Sequence, residues 1–471
     1  MSMAGGPSRA LRELPPHWEV VRLGEVVEFT KKPRGLTTKG PVPFVPMRLI
    51  PEHGLWVSEF EERSTASGTY FEEGDFLLAR ITPCFENGKQ GIVRNIPGGW
   101  GMATTEVYAL RSEVFSSRFL ALYFQWHEVR SHLVRRMEGA TGRMRVPKEA
   151  LEEMLLPVPP RAEQDRIVEA VESAMDAVHR AANSLVEAEA RLLHFRAAVL
   201  HTQLPVNETS TVLGDVADVR SGLTKGRKIK GEAKDVPFLR AANVQEGRLD
   251  LDEIKTIPAT ATERERFELR DGDVLLVEGS GSPHRLGQGW IWRGEISGCL
   301  HQNHVFRARP NRDLVMPEYL AWAMQSPAAR DHFRRMAKTT SGLSTINRTQ
   351  IEATPVPLPP LDEQREVVAR LERLRQTHAT LTDELQQLQG EVSALRRSIL
   401  HQAFTGQLVT QDPADEPASE LLKRIEAEKA EREAELKARR RRKGRSGSSA
   451  ETAEALPRPP SQSGKVGTSS D

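Results

Sequence analysis

The chain repeats itself once, about 200 residues apart, and this duplication constrains its fold more than any other feature. The first copy carries Leu156-Pro157-Val158-Pro159-Pro160-Arg161-Ala162-Glu163-Gln164, and the second carries Val356-Pro357-Leu358-Pro359-Pro360-Leu361-Asp362-Glu363-Gln364. Glu163 and Glu363 are 200 positions apart, as are His201 and His401 at the far end of the segment that follows. Two copies make a pseudo-dimer in one polypeptide and not a solenoid, which needs at least three repeats. A two-fold object suits a two-fold partner, of which duplex DNA is the commonest.

Each copy has the same order of parts. A short strand pattern opens it, Val20 to Val27 in one copy and Thr211 to Asp218 in the other. An extended segment follows, Val42-Pro43-Phe44-Val45 against Val236-Pro237-Phe238-Leu239. Then Glu73-Gly74-Asp75 and Asp271-Gly272-Asp273 each turn the chain into a short apolar strand. A helical pattern, Phe119 to Phe124 against Tyr319 to Met324, precedes the prolines. The offset between copies grows from 190 at Gly24 and Gly214 to 200 at the prolines, so short insertions lie inside the globular parts.

After the prolines comes a heptad helix. Positions 167, 171, 174, 178, 181, 185, 188, 192, 195 and 199, and the same positions plus 200, are apolar in nineteen cases of twenty; His378 is the exception. The prolines stop each helix from extending backward. An antiparallel pairing would set Ala174 against Val392, Ala181 against Leu385 and Ala188 against His378, small residues against larger ones. The expected fold is α+β: two similar domains of mixed strands and short helices, separated by two long antiparallel coiled-coil spacer helices in a pseudo-two-fold dumbbell. The expected boundaries are 14–160 and 206–360 for the domains, and 161–203 and 361–404 for the spacers. Residues 411–471 read as a charged, disordered tail, with a helical stretch from Ser419 to Lys437 and a basic block from Arg439 to Arg445.

With 38% hydrophobic and 28% charged residues, the chain reads as a water-soluble protein. Met1 to Arg9 contains no apolar stretch, which argues against a signal peptide. Cys84 and Cys299 fall at unrelated places in the two copies, so neither a disulfide framework nor a zinc knuckle is expected, and a reducing cytoplasm is. The net charge of +1 decides nothing, because acidic faces can cancel a basic groove.

The arrangement resembles the specificity subunit of type I restriction–modification enzymes. The resemblance rests on the opening Leu14-Pro15-Pro16-His17-Trp18, the twice-used proline-Glu-Gln start of a long helix, and Arg396 to Leu408 with Phe404-Thr405-Gly406-Gln407. It covers roughly residues 14 to 410. Copy two lacks the Leu-Pro-x-x-Trp opening, and the basic tail is outside the pattern. The resemblance implies a non-catalytic, DNA-binding subunit whose two target recognition domains each read half of a bipartite, asymmetric site. It also implies docking of two methyltransferase subunits on the spacers, and restriction/translocase subunits in the complex. S-adenosylmethionine, ATP and Mg²⁺ would be cofactors of those partners, and this chain would hold none.

Candidate DNA contacts come from loops that recur in both copies. Thr141, Arg143 and Arg145 lie in a Gly-containing loop before the first prolines, and Ser341, Thr345 and Arg348 occupy the same place in copy two. Lys31, Lys32, Arg34 and Lys39 follow the first strand of copy one; Arg220, Lys225, Arg227, Lys228 and Lys230 follow that of copy two. Gln302 and Asn303, beside His304, have the amide chemistry that pairs with adenine. Glu163, Gln164, Glu363 and Gln364 are candidate partner contacts. A solvated surface is the plain alternative for each basic run. Glu253-Ile254-Lys255, near Asp250 and Asp252, has the acidic-x-Lys form of a nuclease site, but copy one has no counterpart and a solvated turn is the better reading. A coiled-coil adaptor binding proteins through its globular ends is the rival function.

Overall fold

The computed structural model describes residues 14–36, 40–52, 55–206, 210–280, 285–340 and 343–448. Two compact units divide them: unit 1 runs up to Arg180 and resumes at Val392, and unit 2 is Ala181–Glu391.

Both units use one plan. In unit 1 a five-stranded sheet has the order Val27–Phe29, Val107–Ser112, Phe76–Ala79, Gln90–Val93, Trp56–Val57. In unit 2 the order is Ala217–Ser221, Val305–Pro310, Val274–Val277, Gly289–Ile291. A second sheet also recurs. Val42–Val45 lies antiparallel to Glu61–Arg63 and parallel to Trp100–Ala103; Ala233–Leu239 lies antiparallel to Lys255–Thr260 and parallel to Leu300–His301. The proline strands close each copy onto its own beginning, with Glu19 opposite Val158 and Thr211 opposite Val356.

The opening pattern, which reads as one strand, is broken in both units by a single helical turn, Leu23–Val26 and Leu213–Val216. All four terminal residues of these turns are buried, and only a helical turn lets residues three apart face one core. A Cβ on Gly24 would lie 2.9 Å from the Glu152 Cβ, so the turn packs where only glycine fits. The Gly-Asp turns are also duplicated. Gly74 and Gly272 have φ of +88° and +90°, a conformation that disfavours side chains. Asp75 and Asp273, each 1% exposed, then accept the Glu72 and Arg270 backbone N–H at 2.8 Å and pair with Arg111 and Arg309.

The two long helices are Arg161–Gln203 and Leu361–Phe404. Each spans about 65 Å at ~1.5 Å per residue. Unit 1 combines the start of the first with the end of the second, and unit 2 the reverse, the order that antiparallel helices require. Ala174 and Val392 both pack against the unit 1 core.

The strict heptad needs correction. Phe195, Leu381, Leu388 and Leu395 are 56, 41, 44 and 52% exposed, and Ala181 is exposed too. Their neighbours Ala182, Arg196, Thr382, Gln389 and Arg396 are less exposed. On the second helix, ten steps of three or four residues link the inward positions across the 36 residues from Val367 to Ala403. That is the 3.6-residue period of a straight helix, so a 3.5-residue apolar repeat drifts off the contact face.

The tail expectation is also corrected in part. Ala418–Ser448 is helical. Ala418, Leu421 and Ile425 join the unit 1 core, and the Arg432 guanidinium pairs with both Glu113 oxygens, at 2.5 and 2.7 Å. The apolar i, i+3, i+7 spacing of those three residues was the sign of an anchored helix, hidden by the charge around it. Residues 449–471 lie outside the described residues. Among the described residues no helix is long and apolar enough to cross a membrane, and no His/Cys/Asp/Glu group could hold a metal.

Candidate nucleic-acid interface

The repeated loop before the prolines is tightly built in unit 1. Glu138 and Arg145 exchange backbone hydrogen bonds at 2.9 and 2.8 Å, and the Arg143 N–H donates to the Ala140 carbonyl at 2.9 Å. Gly139 and Gly142, at φ +126° and +81°, make the bend. Thr141 and Arg143 are left exposed at its tip. Arg145 differs: its guanidinium forms a bidentate pair with Glu106 at 2.8 and 2.7 Å. Hydrogen bonding to Glu106 raises the Arg145 pKa, and its charge is already compensated. In unit 2, Thr345 ends strand Leu343–Thr345, which pairs with Gly279–Ser280. Arg348 is exposed on the helix Arg348–Glu352 and is paired with Glu352 at 2.8 Å. Ser341 lies outside the described residues.

Lys31, Lys32 and Arg34 are exposed after the edge strand Val27–Phe29; the Lys32 ammonium donates to the Ala66 carbonyl at 2.9 Å. Lys39 is outside the described residues. In unit 2, Arg220, Lys225, Lys228 and Lys230 are exposed, with Arg220 paired to Asp218. Arg227 is not a free cation. It makes a bidentate pair with Glu263 at 2.6 and 2.7 Å and donates to the Pro258 carbonyl at 2.9 Å. That hydrogen-bonded pair holds the Glu263 carboxyl down at about 2, where it also caps the helix Ala261–Phe267. Gln302 and Asn303 lie between strands Leu300–His301 and Val305–Pro310, half-buried, held by backbone bonds to Leu239 and Leu223. Glu253 and Lys255 pair at 3.3 Å and are 70 and 53% exposed, as a solvated cluster with Arg240 would be.

The Glu-Gln pairs are corrected as partner contacts. Glu163, Gln164 and Gln364 are 1, 1 and 0% exposed, and only Glu363 is on the surface. Glu163 accepts the Trp18 indole N–H at 2.9 Å and the Gln411 amide at 2.6 Å, and burial raises its pKa. Gln164 donates to the Pro159 carbonyl at 3.0 Å. Gln364 donates to the Leu314 and Pro359 carbonyls and accepts the Met316 N–H at 2.9 Å. Glu163 therefore ties the opening Trp18 to the segment after the second helix, and a Cβ on Gly406 would sit 2.3 Å from Pro15. Replacing Glu163 or Gln364 with Ala should cost about 2–3 kcal/mol, because buried donors or acceptors lose their partners. Thermal unfolding of the full chain measures this; an unchanged melting temperature would reverse the assignment.

The sequence reading missed how each domain is clasped. The Arg396 guanidinium donates to Gln125 Oε1 at 3.2 Å in unit 1, and Arg196 donates to Gln325 Oε1 at 2.8 Å in unit 2. The two donors, Arg196 and Arg396, are 200 positions apart, as are the two acceptors, Gln125 and Gln325, a signal present in the repeat but masked by the heptad reading. In unit 1 the second helix ends with Phe404, fully buried against Phe119, Tyr123 and Trp126 at ring separations of 5.3–5.6 Å. The same plan thus builds both copies down to individual hydrogen bonds.

Residues 15–188 and 205–389 each match the type I restriction modification DNA specificity domain. The chain belongs to the specificity subunits of type I restriction–modification systems. Within this family it is 32% identical over 224 residues to the EcoKI specificity subunit of Escherichia coli K12, which covers 46% of this chain and 48% of that one. It is 29% identical over 232 residues to the StySPI specificity subunit of Salmonella potsdam, covering 47 and 49%. The chain thus spans about half the length of the curated relatives it matches. Two solved structures share the fold at 21% identity. One, from work on complex assembly and conformational transition of the type I R-M system, has a TM-score of 0.67 and covers 84% of this chain and 99% of that one. The other, the HsdS subunit from Thermoanaerobacter tengcongensis, has a TM-score of 0.50 and covers 84 and 98%.

Proposed function

We propose that this chain is the non-catalytic DNA-recognition subunit of a type I restriction–modification complex, with each domain reading one half of a bipartite, asymmetric site. The observation that carries this reading is the duplicated strand order, which presents the same loop with different side chains in the two units. One scaffold with two different faces reads two different half-sites. Mapping methylated bases in the host genome tests it: the expected motif has two unlike halves with an unspecified gap. A genome without such a motif, or a motif unchanged when this gene is deleted, rejects the reading.

Domain boundaries at 14–160 and 206–360, with spacers between, suit this role. Lys31, Lys32, Arg34, Thr141 and Arg143 in unit 1, and Lys225 and Lys228 in unit 2, are the exposed phosphate contacts of the proposal. Gln302 and Asn303 would face base edges. Arg143→Ala should lower the salt slope of DNA binding by about 0.9, the value per lost phosphate contact, without altering sequence preference. Arg145→Ala should change that slope less, since Glu106 holds its charge. Equal slopes for wild type and Arg143→Ala would return Arg143 to the solvated surface.

The two methyltransferase subunits would use S-adenosylmethionine, and the restriction/translocase subunits ATP and Mg²⁺, in the cytoplasm. For docking them, the spacers offer Val186, Leu193, Phe195, Leu381 and Leu388 in unit 2, which are 41–62% exposed. Apolar side chains at such spacing suit a partner helix or groove.

A further inference from the structure

One place in each unit has the same backbone and opposite chemistry. In unit 1 the Arg80 N–H donates to the Glu106 carbonyl at 3.0 Å, and the Val146 N–H donates to the Arg80 carbonyl at 2.8 Å. In unit 2 the Glu278 N–H donates to the His304 carbonyl at 3.0 Å, and the Ile346 N–H donates to the Glu278 carbonyl at 3.0 Å. Each place is the end of one central strand, the start of its neighbour, and the exit of the repeated loop. Strands Phe76–Ala79 and Val107–Ser112 make it in unit 1, and Val274–Val277 and Val305–Pro310 in unit 2.

The side chains differ completely. Unit 1 presents Arg80, Glu106 and Arg145, with Glu106 between two guanidiniums, at 2.7 Å from Arg145 and 3.7 Å from Arg80. Unit 2 presents Glu278, His304 and Thr345, with the His304 Nδ1 2.8 Å from Glu278 Oε2. The first set carries one net positive charge; the second carries one net negative charge while His304 is neutral. These groups are neither core nor freely solvated: the Arg80, Glu106, Glu278 and His304 side chains are 32, 25, 27 and 57% exposed. Pairing within each set holds the groups in place at a half-open surface, as a reader of base edges requires.

We infer that these sets, Arg80/Glu106/Arg145 and Glu278/His304/Thr345, are specificity-determining positions that read base edges in the two half-sites. The inference rests on the DNA-recognition reading above and names the residues that would carry it. Arginine supplies paired donors to the O6 and N7 acceptors of guanine, whereas a carboxylate accepts from the amino group of cytosine. Domain one is therefore assigned a guanine-type contact through Arg80, whose guanidinium is not held bidentately as that of Arg145 is, and domain two a cytosine-type contact through Glu278. Glu106 and His304 position these groups.

The test uses the full chain with its methyltransferase subunits and reads the methylated motif in cells. Glu278→Gln and Arg80→Gln are the variants. Glu278→Gln should relax or alter one base in one half of the motif, and Arg80→Gln one base in the other, each leaving the opposite half unchanged. Discrimination should fall about 10- to 100-fold at the affected base. An unchanged motif in both variants overturns the inference while leaving the DNA-recognition reading intact. If a variant methylates nothing, selection of bound duplexes from a library randomised in both halves decides. Loss of preference in one half supports the inference, and wild-type preference in both overturns it. Loss of both halves with a lowered melting temperature makes the residue structural and also overturns it. If the wild-type chain selects no sequence at all, the recognition reading itself has failed.

Discussion

Phe404→Ala should destabilise unit 1 by about 3–5 kcal/mol, the range for removing a buried aromatic ring. The ring contributes more than area. It lies edge-on to Phe119 and Tyr123 and stacked on Trp126, all fully buried, so three rings lose a partner at once. Chemical denaturation of the full chain, followed through its seven tryptophans, would show an early transition that is assigned to unit 1 if it disappears in a variant lacking Trp18, Trp56, Trp100 and Trp126. A loss below 1 kcal/mol would mean that the second helix does not close this core.

Exchanging residues 206–360 for the equivalent domain of a relative should change one half of the methylated motif and leave the other half untouched. Each unit has its own core, with separate apolar sets, and its own copy of the loop and strand plan. The exchange junctions lie beside duplicated contacts, so the incoming domain would find its clasp in Arg196 provided its own Gln325 equivalent is present. Affinity still depends on both domains, since tethering raises the effective concentration of the second contact. Unit 2 alone, Ala181–Glu391, should bind weakly and keep its preference. A motif altered in both halves would show that the two domains share one reading surface.

The duplication, the mixed domains and the long helices were legible because each leaves a period or a repeated string. The proline strands, the Gly-Asp turns and the helix starts recur at fixed offsets, and each forms the same element twice. What escaped were features set by three-dimensional neighbours. The heptad reading treated Leu381 and Leu388 as seam residues because they are apolar, but a straight helix turns them outward. The Glu-Gln pairs look like surface carboxylate and amide side chains, yet three of the four are buried by segments distant in sequence, Trp18 and Gln411 among them. Arg145 and Arg227 count as basic residues in a sequence but are tied to Glu106 and Glu263 in space. Composition locates a charge without showing what already neutralises it.

Unit 2 is one unbroken stretch of chain, Ala181–Glu391, whereas unit 1 draws its core from both ends. Trp18, Phe119, Phe404 and Leu421 belong to the same cluster, so that core joins segments made before unit 2 to segments made after it. A ribosome delivers the first part of unit 1 early but withholds the helix end that seals it until all of unit 2 has been made. Unit 2 can complete itself while unit 1 still exposes the ring pocket meant for Phe404. The domain synthesised first is thus the last to be finished, and a nascent chain stalled inside unit 2 would present that open pocket to chaperones.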